Sequence, residues 1–160
     1  MPRKNKKLPR HLLVIRTSAM GDVAMLPHAL RALKEAYPEV KVTVATKSLF
    51  HPFFEGLDVG FLDIETRRTH RGIRGAIRFA REAAELKIDA VADMHNVLRS
   101  KMVRAALHLR GIPVSVIHKG RIEKYMRLGR GSEGVKPLKH TVIRYCDVFR
   151  RLGFDFPDPR

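Results

Sequence analysis

The chain has 160 residues, 44% of them hydrophobic, so it can fold as one domain around a core and is not expected to be disordered. Its 32 Lys and Arg residues against 16 Asp and Glu residues give a net charge of +16. This excess predicts a partner of negative charge: nucleic acid, an anionic membrane surface, or a phosphorylated or carboxylated substrate. A single cysteine, Cys146, excludes a disulfide framework and any zinc site built from several cysteines.

The first ten residues differ in composition from the rest. Residues 1–10 carry five positive charges, two prolines and no acid, so we predict a basic flexible tail there and a folded domain over 11–160. The apolar run after the tail ends at Arg16 and is too short for a secretory signal. No stretch approaches the ~20 apolar residues that a membrane span needs. These features predict a cytoplasmic protein.

The folded domain opens with apolar runs that alternate with helical periodicity. Residues 12–15 form a continuous apolar run, typical of a strand buried on both faces of a parallel sheet. Leucines then recur at helical spacing over 26–33, in a helix expected to start near Asp22 and to end before Pro38. The valines of 40–44 predict the second strand.

The alternation continues along the chain. The later predicted elements are a short helix over 49–54, a strand over 59–64, a helix over about 73–84, a strand over 90–92, a helix over 98–109, a strand over 114–117 and a last helix over 140–152. On the helix after the third strand, the expected inward stripe is Ile73, Ile77, Ala80 and Ala84. On the last helix it is Val142, Cys146, Phe149 and Leu152. This alternation predicts an α/β fold, an open parallel sheet with helices on both faces.

In an open parallel sheet, ligands bind beyond the carboxyl ends of the strands. The first strand leads there into the loop 16–22, which contains small side chains and Gly21. Such a loop lets the backbone approach a ligand and leaves N–H groups free at the start of the next helix. Asp22 is then either an acid favoured by the helix dipole or a carboxylate placed to take a proton from a hydroxyl. Spacing alone favours the structural interpretation.

Several segments resemble one enzyme family. Thr-Ser-Ala-Met-Gly-Asp-Val over 17–23 is similar to the N-terminal signature of the ADP-heptose:lipopolysaccharide heptosyltransferases, which belong to glycosyltransferase family 9. Asp-Ala-Val-Ala-Asp over 89–93, with Leu-Arg-Ser over 98–100, resembles the family's fourth strand and the helix after it. Residues 140–153 resemble the segment that closes its N-terminal domain. The resemblance runs in order from residue 11 to about 155.

The resemblance implies the N-terminal half of a two-domain GT-B fold. Residues 11–160 would be a Rossmann-like acceptor-binding domain, with the C-terminal donor domain absent from this chain and the chain alone expected to be inactive. In the family, the aspartate that matches Asp22 is the proposed catalytic base for inverting transfer of heptose from ADP-heptose to the inner core of lipopolysaccharide. No cofactor and no metal are implied. The expected partners are a Kdo-lipid A acceptor at the inner face of the cytoplasmic membrane and a sugar nucleotide held by the donor domain.

Residues at the ligand edge are the predicted acceptor contacts. Arginine guanidinium groups suit bidentate recognition of the carboxylates and phosphates that such an acceptor offers. The predicted acceptor-binding residues are Thr17, Ser18, Met20, Gly21, Arg67, Arg68, Arg71, His95, Asn96, Arg99 and Arg121. His95 and Asn96 stand where the family usually has Gln-Gly, a departure that bears on the identity of the acceptor. Asp93 is expected either to hold the loop backbone or to contact a sugar.

The alternative is a basic α/β module that binds nucleic acid or another polyanion without catalysis. The net charge of +16 favours this function. Against it, aromatic residues make up only 7% of the chain and tryptophan is absent. The sequence also contains no RRM, KH or helix-turn-helix pattern. Nucleic acid is therefore the less favoured partner.

Overall fold

The computed structural model describes residues 7–65, 67–118 and 139–159. The elements in this part of the chain are β1 (His11–Ile15), α1 (Met20–Ala36), β2 (Lys41–Thr46), a 3₁₀ helix (Ser48–Phe54), β3 (Gly60–Asp63), α2 (Gly72–Glu85), β4 (Ala90–Asp93), α3 (Leu98–His108), β5 (Val114–Val116) and α4 (Thr141–Arg151). All the predicted strands and helices are therefore found, with small shifts at their ends.

The five strands form one sheet in the order β3-β2-β1-β4-β5. Every pairing is parallel; Leu12 of β1, for example, lies opposite Val42 of β2 and Ala90 of β4. The central strand β1 is buried along its whole length, as its continuous apolar run predicts, because helices cover both faces of the sheet. This arrangement confirms the predicted α/β fold.

The side chains of β1 alternate between the two faces and divide the core in two. Leu12 and Val14 belong to a cluster shared with α1 and α4, which contains large aromatic side chains such as Tyr145. Leu13 and Ile15 belong to a second cluster shared with α2 and α3. We refer to these as the α1/α4 face and the α2/α3 face.

The last helix, α4, packs as its sequence predicts. The residues of its expected stripe are all buried: Val142, Cys146, Phe149 and Leu152. His140 is the N-cap residue, and its Nδ1 accepts a hydrogen bond from the Val142 N–H at 3.4 Å. Burial raises the pKa of the Cys146 thiol to about 11, which keeps the thiol protonated and unreactive at neutral pH.

The predicted inward stripe of α2 is right for Ala80, which is buried, and for Ala84, which packs partly buried against the core. It is wrong for Ile73 and Ile77, which are 68% and 46% exposed. The buried residues of this helix are Gly75, Ala76, Phe79, Ala80 and Ala83. A Cβ on Gly75 would lie 2.1 Å from the carbonyl carbon of His70, so the missing side chain lets α2 approach the preceding turn closely. The inward face therefore combines the large apolar side chain of Phe79 with small residues that permit this close contact.

The packed part of the chain begins before residue 11. Leu8 packs against the α1/α4 cluster, and Pro9 is buried. The backbone N–H groups of Arg10 and His11 donate to the Asp89 carboxylate at 2.9 and 3.0 Å. The predicted tail boundary at residue 10 therefore moves towards the N-terminus, because this carboxylate ties the segment to the start of β4. Residues 1–6 lie outside the described part of the chain.

Candidate functional site

The loops that follow β1 and β4 meet at the carboxyl edge of the sheet. These strands are parallel neighbours, so they end at the same edge. The Met94 N–H donates to the Ile15 carbonyl at 3.0 Å at the point where both strands end. This contact brings the loop at 16–19 against the loop at 94–97, although the two are far apart in sequence.

Three predicted site residues form one hydrogen-bond network at this junction. His95 Nδ1 lies 3.4 Å from the Thr17 backbone nitrogen and 2.8 Å from Thr17 Oγ1, while His95 Nε2 lies 3.2 Å from Ser18 Oγ. A backbone N–H can only donate, so Nδ1 accepts and the ring proton resides on Nε2, which donates to Ser18. The Ser18 hydroxyl proton is then left to donate to a ligand.

Asp93 supports the loop after β4. Its side chain is fully buried, and its Oδ1 accepts from the backbone N–H groups of His95 and Asn96 at 2.9 and 2.8 Å. Arg104 donates to its Oδ2 at 3.1 Å. Asn96 adopts φ 50°, a left-handed conformation that asparagine tolerates better than most residues. Of the two interpretations of Asp93, loop support is the one that the structure shows.

The Asn96 side chain is turned towards the protein. Its Nδ2 donates to the Ile117 carbonyl at 3.4 Å, and its Oδ1 accepts from Arg104 at 3.3 Å. The amide thus links the loops that follow β4 and β5. Contact between Asn96 and an acceptor remains a prediction.

A cavity of about 280 Å³ opens beside the His95 network on the α2/α3 face. Its polar lining residues are Thr17, Ser18, Lys47, His70, His95, Arg99 and Ser100. Its apolar lining residues are Ile15, Ile64, Ala76, Phe79, Val97 and Val103. Lys47 and Arg99 are partly exposed and bring positive charge to the opening. An apolar floor with a few polar groups and two cations suits a small polar ligand that carries an anionic group.

His70 forms part of the inner wall of this cavity and is 5% exposed. Its Nδ1 accepts from the Glu65 backbone N–H at 3.1 Å, and its Nε2 donates to Glu82 Oε2 at 2.9 Å. Burial raises the pKa of Glu82, but the hydrogen bonds from Arg78 and His70 lower it by a larger amount. The pKa of Glu82 therefore lies below its ordinary value. With both ring nitrogens engaged, His70 links Glu65 and the turn at 67–70 to α2.

Asp22 lies within the first turn of α1 and does not cap the helix, which starts at Met20. Arg16 Nη2 donates to Asp22 Oδ2 in an ion pair, and Arg16 Nη1 donates to the Met94 carbonyl. The Arg16 side chain is 8% exposed, whereas that of Asp22 is 44% exposed. A buried guanidinium therefore fixes the direction of a carboxylate that a hydroxyl group from outside can reach. Asp22 does not itself line the cavity.

Tyr145 of α4 contacts the first turn of α1 from the protein core. Its hydroxyl donates to the Asp22 carbonyl at 2.9 Å, and its side chain is fully buried. Burial raises the pKa of Tyr145 to about 12, against an opposing effect of the Arg16 charge. Tyr145 therefore remains a protonated donor at neutral pH and ties the start of α1 to α4.

The other predicted site residues within the described ranges lie near this edge without lining the cavity. Met20 is 61% exposed, and a Cβ added to Gly21 would meet nothing within 4 Å, so the start of α1 leaves open space for a ligand. The arginines on the turn before α2 and at its N-cap are exposed: Arg67, Arg68 and Arg71. The predicted contact Arg121 lies outside the described residues.

Three basic residues at this edge are not among the predicted contacts. Arg16 and Lys47 directly follow β1 and β2, and this position after a buried parallel strand is a signal by which sequence reasoning could have found them. Arg104 is different, because it reaches Asp93 from the middle of α3. Only the packing of α3 against β4 reveals that contact.

Across 7–65, 67–118 and 139–159, no group of three His, Cys, Asp or Glu side chains converges as a metal site. Nor is any helix in those ranges both long enough and apolar enough to cross a bilayer. The carboxyl edge of the sheet offers a ligand hydroxyl groups, cations and an exposed carboxylate.

Comparison with known proteins gives fold neighbours only. The sequence matches no family model and no curated protein. A family 9 glycosyl transferase from Veillonella parvula is 17% identical with a TM-score of 0.65, over 90% of this chain and 42% of that chain. The E. coli heptosyltransferase WaaC, solved with ADP-2-deoxy-2-fluoro heptose, is 23% identical with a TM-score of 0.63, over 94% of this chain and 50% of that chain. A UDP-N-acetylglucosamine 2-epimerase is 19% identical with a TM-score of 0.51, over 72% of this chain and 33% of that chain.

These neighbours show the fold and leave the reaction open, because they include both transferases and an epimerase. The chain spans half or less of the length of each of them. The expected likeness to family 9 glycosyltransferases and heptosyltransferases is confirmed at the level of fold. The described structure has the Rossmann-like α/β fold that these neighbours contain over half or less of their own length.

Proposed function

We propose that this chain is the N-terminal, acceptor-binding domain of an inverting glycosyltransferase. The proposed reaction moves heptose from ADP-heptose to the inner core of lipopolysaccharide, at the inner face of the cytoplasmic membrane. The fold neighbours support a protein of the GT-B type. The motif over 17–23 supports the heptosyltransferase assignment, and the net charge of +16 supports an anionic acceptor.

The observation that carries the proposal is the geometry of Asp22. Its carboxylate is half exposed at the carboxyl edge of the sheet, and a buried Arg16 holds Oδ2. Among the described residues, none donates a hydrogen bond to Oδ1, so this oxygen can accept the proton of a substrate hydroxyl. A first-turn acid that only stabilised the helix would not need a buried guanidinium to set its direction.

In the proposed reaction, Asp22 takes the proton from the acceptor hydroxyl as that oxygen attacks the anomeric carbon of the heptose. The new bond joins the acceptor oxygen to the anomeric carbon, and the bond from that carbon to the ADP oxygen breaks. ADP leaves with the electron pair, and the configuration inverts because attack and departure occur on opposite sides. Neither a covalent intermediate nor a metal is part of the proposal.

The acceptor is proposed to lie across the loop at 16–19 and the cavity. Ser18 would donate to a sugar oxygen, and Arg99 with Lys47 would pair with a carboxylate or phosphate at the opening. The exposed arginines Arg67 and Arg68 extend this positive surface towards the start of α2. Kdo carboxylates and lipid A phosphates supply matching anionic groups.

The first test measures binding to the chain itself. Calorimetry with a soluble Kdo-containing core oligosaccharide should show binding that Arg99→Gln weakens and that Arg31→Gln, a matched change of an exposed arginine on α1, leaves unchanged. Tight binding of duplex or single-stranded nucleic acid, with no response to the oligosaccharide, would instead favour the polyanion-binding alternative that the net charge suggests.

The second test measures transfer in a protein that carries this domain together with a donor-binding domain. Asp22→Asn should lower kcat by about 10²–10⁴-fold while acceptor binding changes little, since loss of a general base has that magnitude. Asp58→Asn is the control, because Asp58 is 95% exposed and pairs with Lys34 on α1. Near-normal turnover of the Asp22 variant, or epimerisation of a UDP-sugar with no transfer, would contradict the proposal.

A further inference from the structure

The solvent side of α2 combines exposed isoleucines with a dense set of arginines. Ile73 and Ile77 are one helical turn apart, so they lie on the same side of the helix, and they are 68% and 46% exposed. The segment 67–81 contains six arginines and no Asp or Glu: Arg67, Arg68, Arg71, Arg74, Arg78 and Arg81. All six are exposed. We call this the α2 outer surface.

The acids that follow on α2 cancel only part of this charge. Glu82 pairs with Arg78 and with His70 in the cavity wall, and Glu85 is the last residue of the helix, one turn after Arg81. The excess of positive charge therefore lies towards the start of the helix, over Arg67, Arg68, Arg71 and Arg74. Single exposed apolar residues are common on protein surfaces, but two on one side of a helix among six guanidinium groups form a pattern with a specific chemistry.

We propose that the α2 outer surface binds an anionic bilayer. Ile73 and Ile77 would enter the boundary between headgroups and acyl chains, and the flanking arginines would pair with lipid phosphates. Charge complementarity selects an anionic surface, and the exposed isoleucines select one with an apolar interior. The inference rests on the proposed function in one respect, since α2 begins beside the cavity and would hold the cavity near an amphiphilic acceptor.

The same surface is poorly suited to nucleic acid. Arginines would pair with a phosphate backbone, but branched aliphatic side chains neither stack on bases nor donate hydrogen bonds to them. Phe79, the aromatic residue of α2, is 2% exposed and faces the sheet. A nucleic-acid interface on this helix would therefore gain nothing from the exposed isoleucines.

The test uses vesicles that contain no saccharide, so it is independent of acceptor binding and of transfer. The chain should co-sediment with vesicles of phosphatidylglycerol and phosphatidylcholine and not with vesicles of phosphatidylcholine alone. Ile73→Ser/Ile77→Ser should weaken binding to the anionic vesicles by about tenfold or more. The matched control is Leu49→Ser/Leu109→Ser, two leucines that are 65% and 87% exposed outside α2. Thermal unfolding checks that each variant is folded.

A second pair of variants isolates the charge. Arg74→Gln/Arg81→Gln should weaken vesicle binding by about tenfold or more at low salt and should reduce its dependence on salt. Arg31→Gln/Arg110→Gln removes the same charge from other exposed positions and should have a much smaller effect.

Three outcomes would overturn the inference. The first is equal binding by the isoleucine variant and its leucine control, which would show that no side chain enters the bilayer. The second is equal binding by the two arginine variants, which would show that the net charge acts without a defined surface. The third is absence of vesicle binding by the unaltered chain. If the vesicles fail while the core oligosaccharide still binds, the membrane inference fails alone and the proposed function stands.

Discussion

The two faces of the sheet are filled in different ways. The α1/α4 face contains large aromatic side chains in close contact, and the fully buried ones include Tyr145, Phe149 and Phe154. The α2/α3 face contains a smaller buried cluster, in which α2 contributes Phe79 and three alanines, and it retains the cavity of about 280 Å³ at its carboxyl end. The first face is built for stability, and the second leaves space for a ligand.

The candidate site lies where these two faces meet. Asp22 is anchored on the α1/α4 face, where Tyr145 holds its backbone and Arg16 holds its carboxylate. The adjoining loop residues Thr17 and Ser18 line the cavity on the α2/α3 face. A proposed base that must keep its direction is thus attached to the tightly packed face, and the binding space is on the looser one.

The largest expected effect is truncation of a large core side chain on the α1/α4 face. Phe149→Ala should lower the free energy of unfolding by about 4 kcal/mol, because the tightly packed neighbours cannot close the void. Phe79→Ala on the α2/α3 face should cost nearer 3 kcal/mol, because Phe79 already borders an open cavity and makes fewer contacts on that side. Urea unfolding of both variants gives the comparison. A larger loss at Phe79 would show that the α2/α3 face is the more stabilising one.

The next effect tests why α2 turns its small residues inward. Gly75→Ala places a Cβ 2.1 Å from the carbonyl carbon of His70, so the variant should lose about 3 kcal/mol as α2 and the turn at 67–70 move apart. Gly21→Ala is the control, because an added Cβ there meets nothing within 4 Å and alanine favours the helix. Thermal unfolding should separate the two variants. Similar melting temperatures of the two variants would show that the close contact at Gly75 does not determine the orientation of α2.

The contrast between the faces also explains which helices the sequence predicts correctly. On α4, the buried residues include the predicted Val142, Cys146 and Phe149, so periodicity and hydrophobicity agree. On α2, the stripe with the isoleucines competes with a neighbouring stripe of glycine, alanines and Phe79. The second stripe is buried because the sheet and His70, in the turn at 67–70, lie close to the helix. That distance is a property of the tertiary structure and cannot be deduced from periodicity.

The candidate site shows the same division. The predicted strands of a parallel sheet place Thr17, Ser18 and His95 at one edge, and the pairing of β1 with β4, which the sequence does not predict, brings them together. The Arg16 contacts depend on side-chain rotamers in a buried loop, and the Arg104 contact with Asp93 depends on how α3 packs. Such contacts require coordinates. The strand ends are predictable from sequence, and the connections that fix the site are not.

A smaller effect tests the link between α4 and the start of α1. Tyr145→Phe removes the hydroxyl that donates to the Asp22 carbonyl at 2.9 Å and should lower stability by about 1 kcal/mol. Hydrogen exchange should increase in the first turn of α1 more than elsewhere, since the carbonyl loses its partner. The phenyl ring preserves the packing, so a uniform increase across the chain would indicate a packing defect instead.

The smallest expected effect is a pH dependence that belongs to the α2/α3 face. Burial lowers the pKa of His11 below its ordinary value of 6.5, with a further lowering by the Lys41 charge. The imidazole is 7% exposed, and its Nε2 lies 2.8 Å from Thr43 Oγ1. Below about pH 6.5 the unfolded chain binds a proton that the folded chain resists, so stability should fall as the pH decreases from 6.5 through the folded pKa. The test compares two histidine variants. His11→Gln should flatten this part of the profile of unfolding free energy against pH, and the control His28→Gln, at an exposed position on α1, should leave the profile unchanged. If the profile keeps its full slope in the His11 variant, the titration belongs to another group, and the pH dependence is not a property of the α2/α3 face.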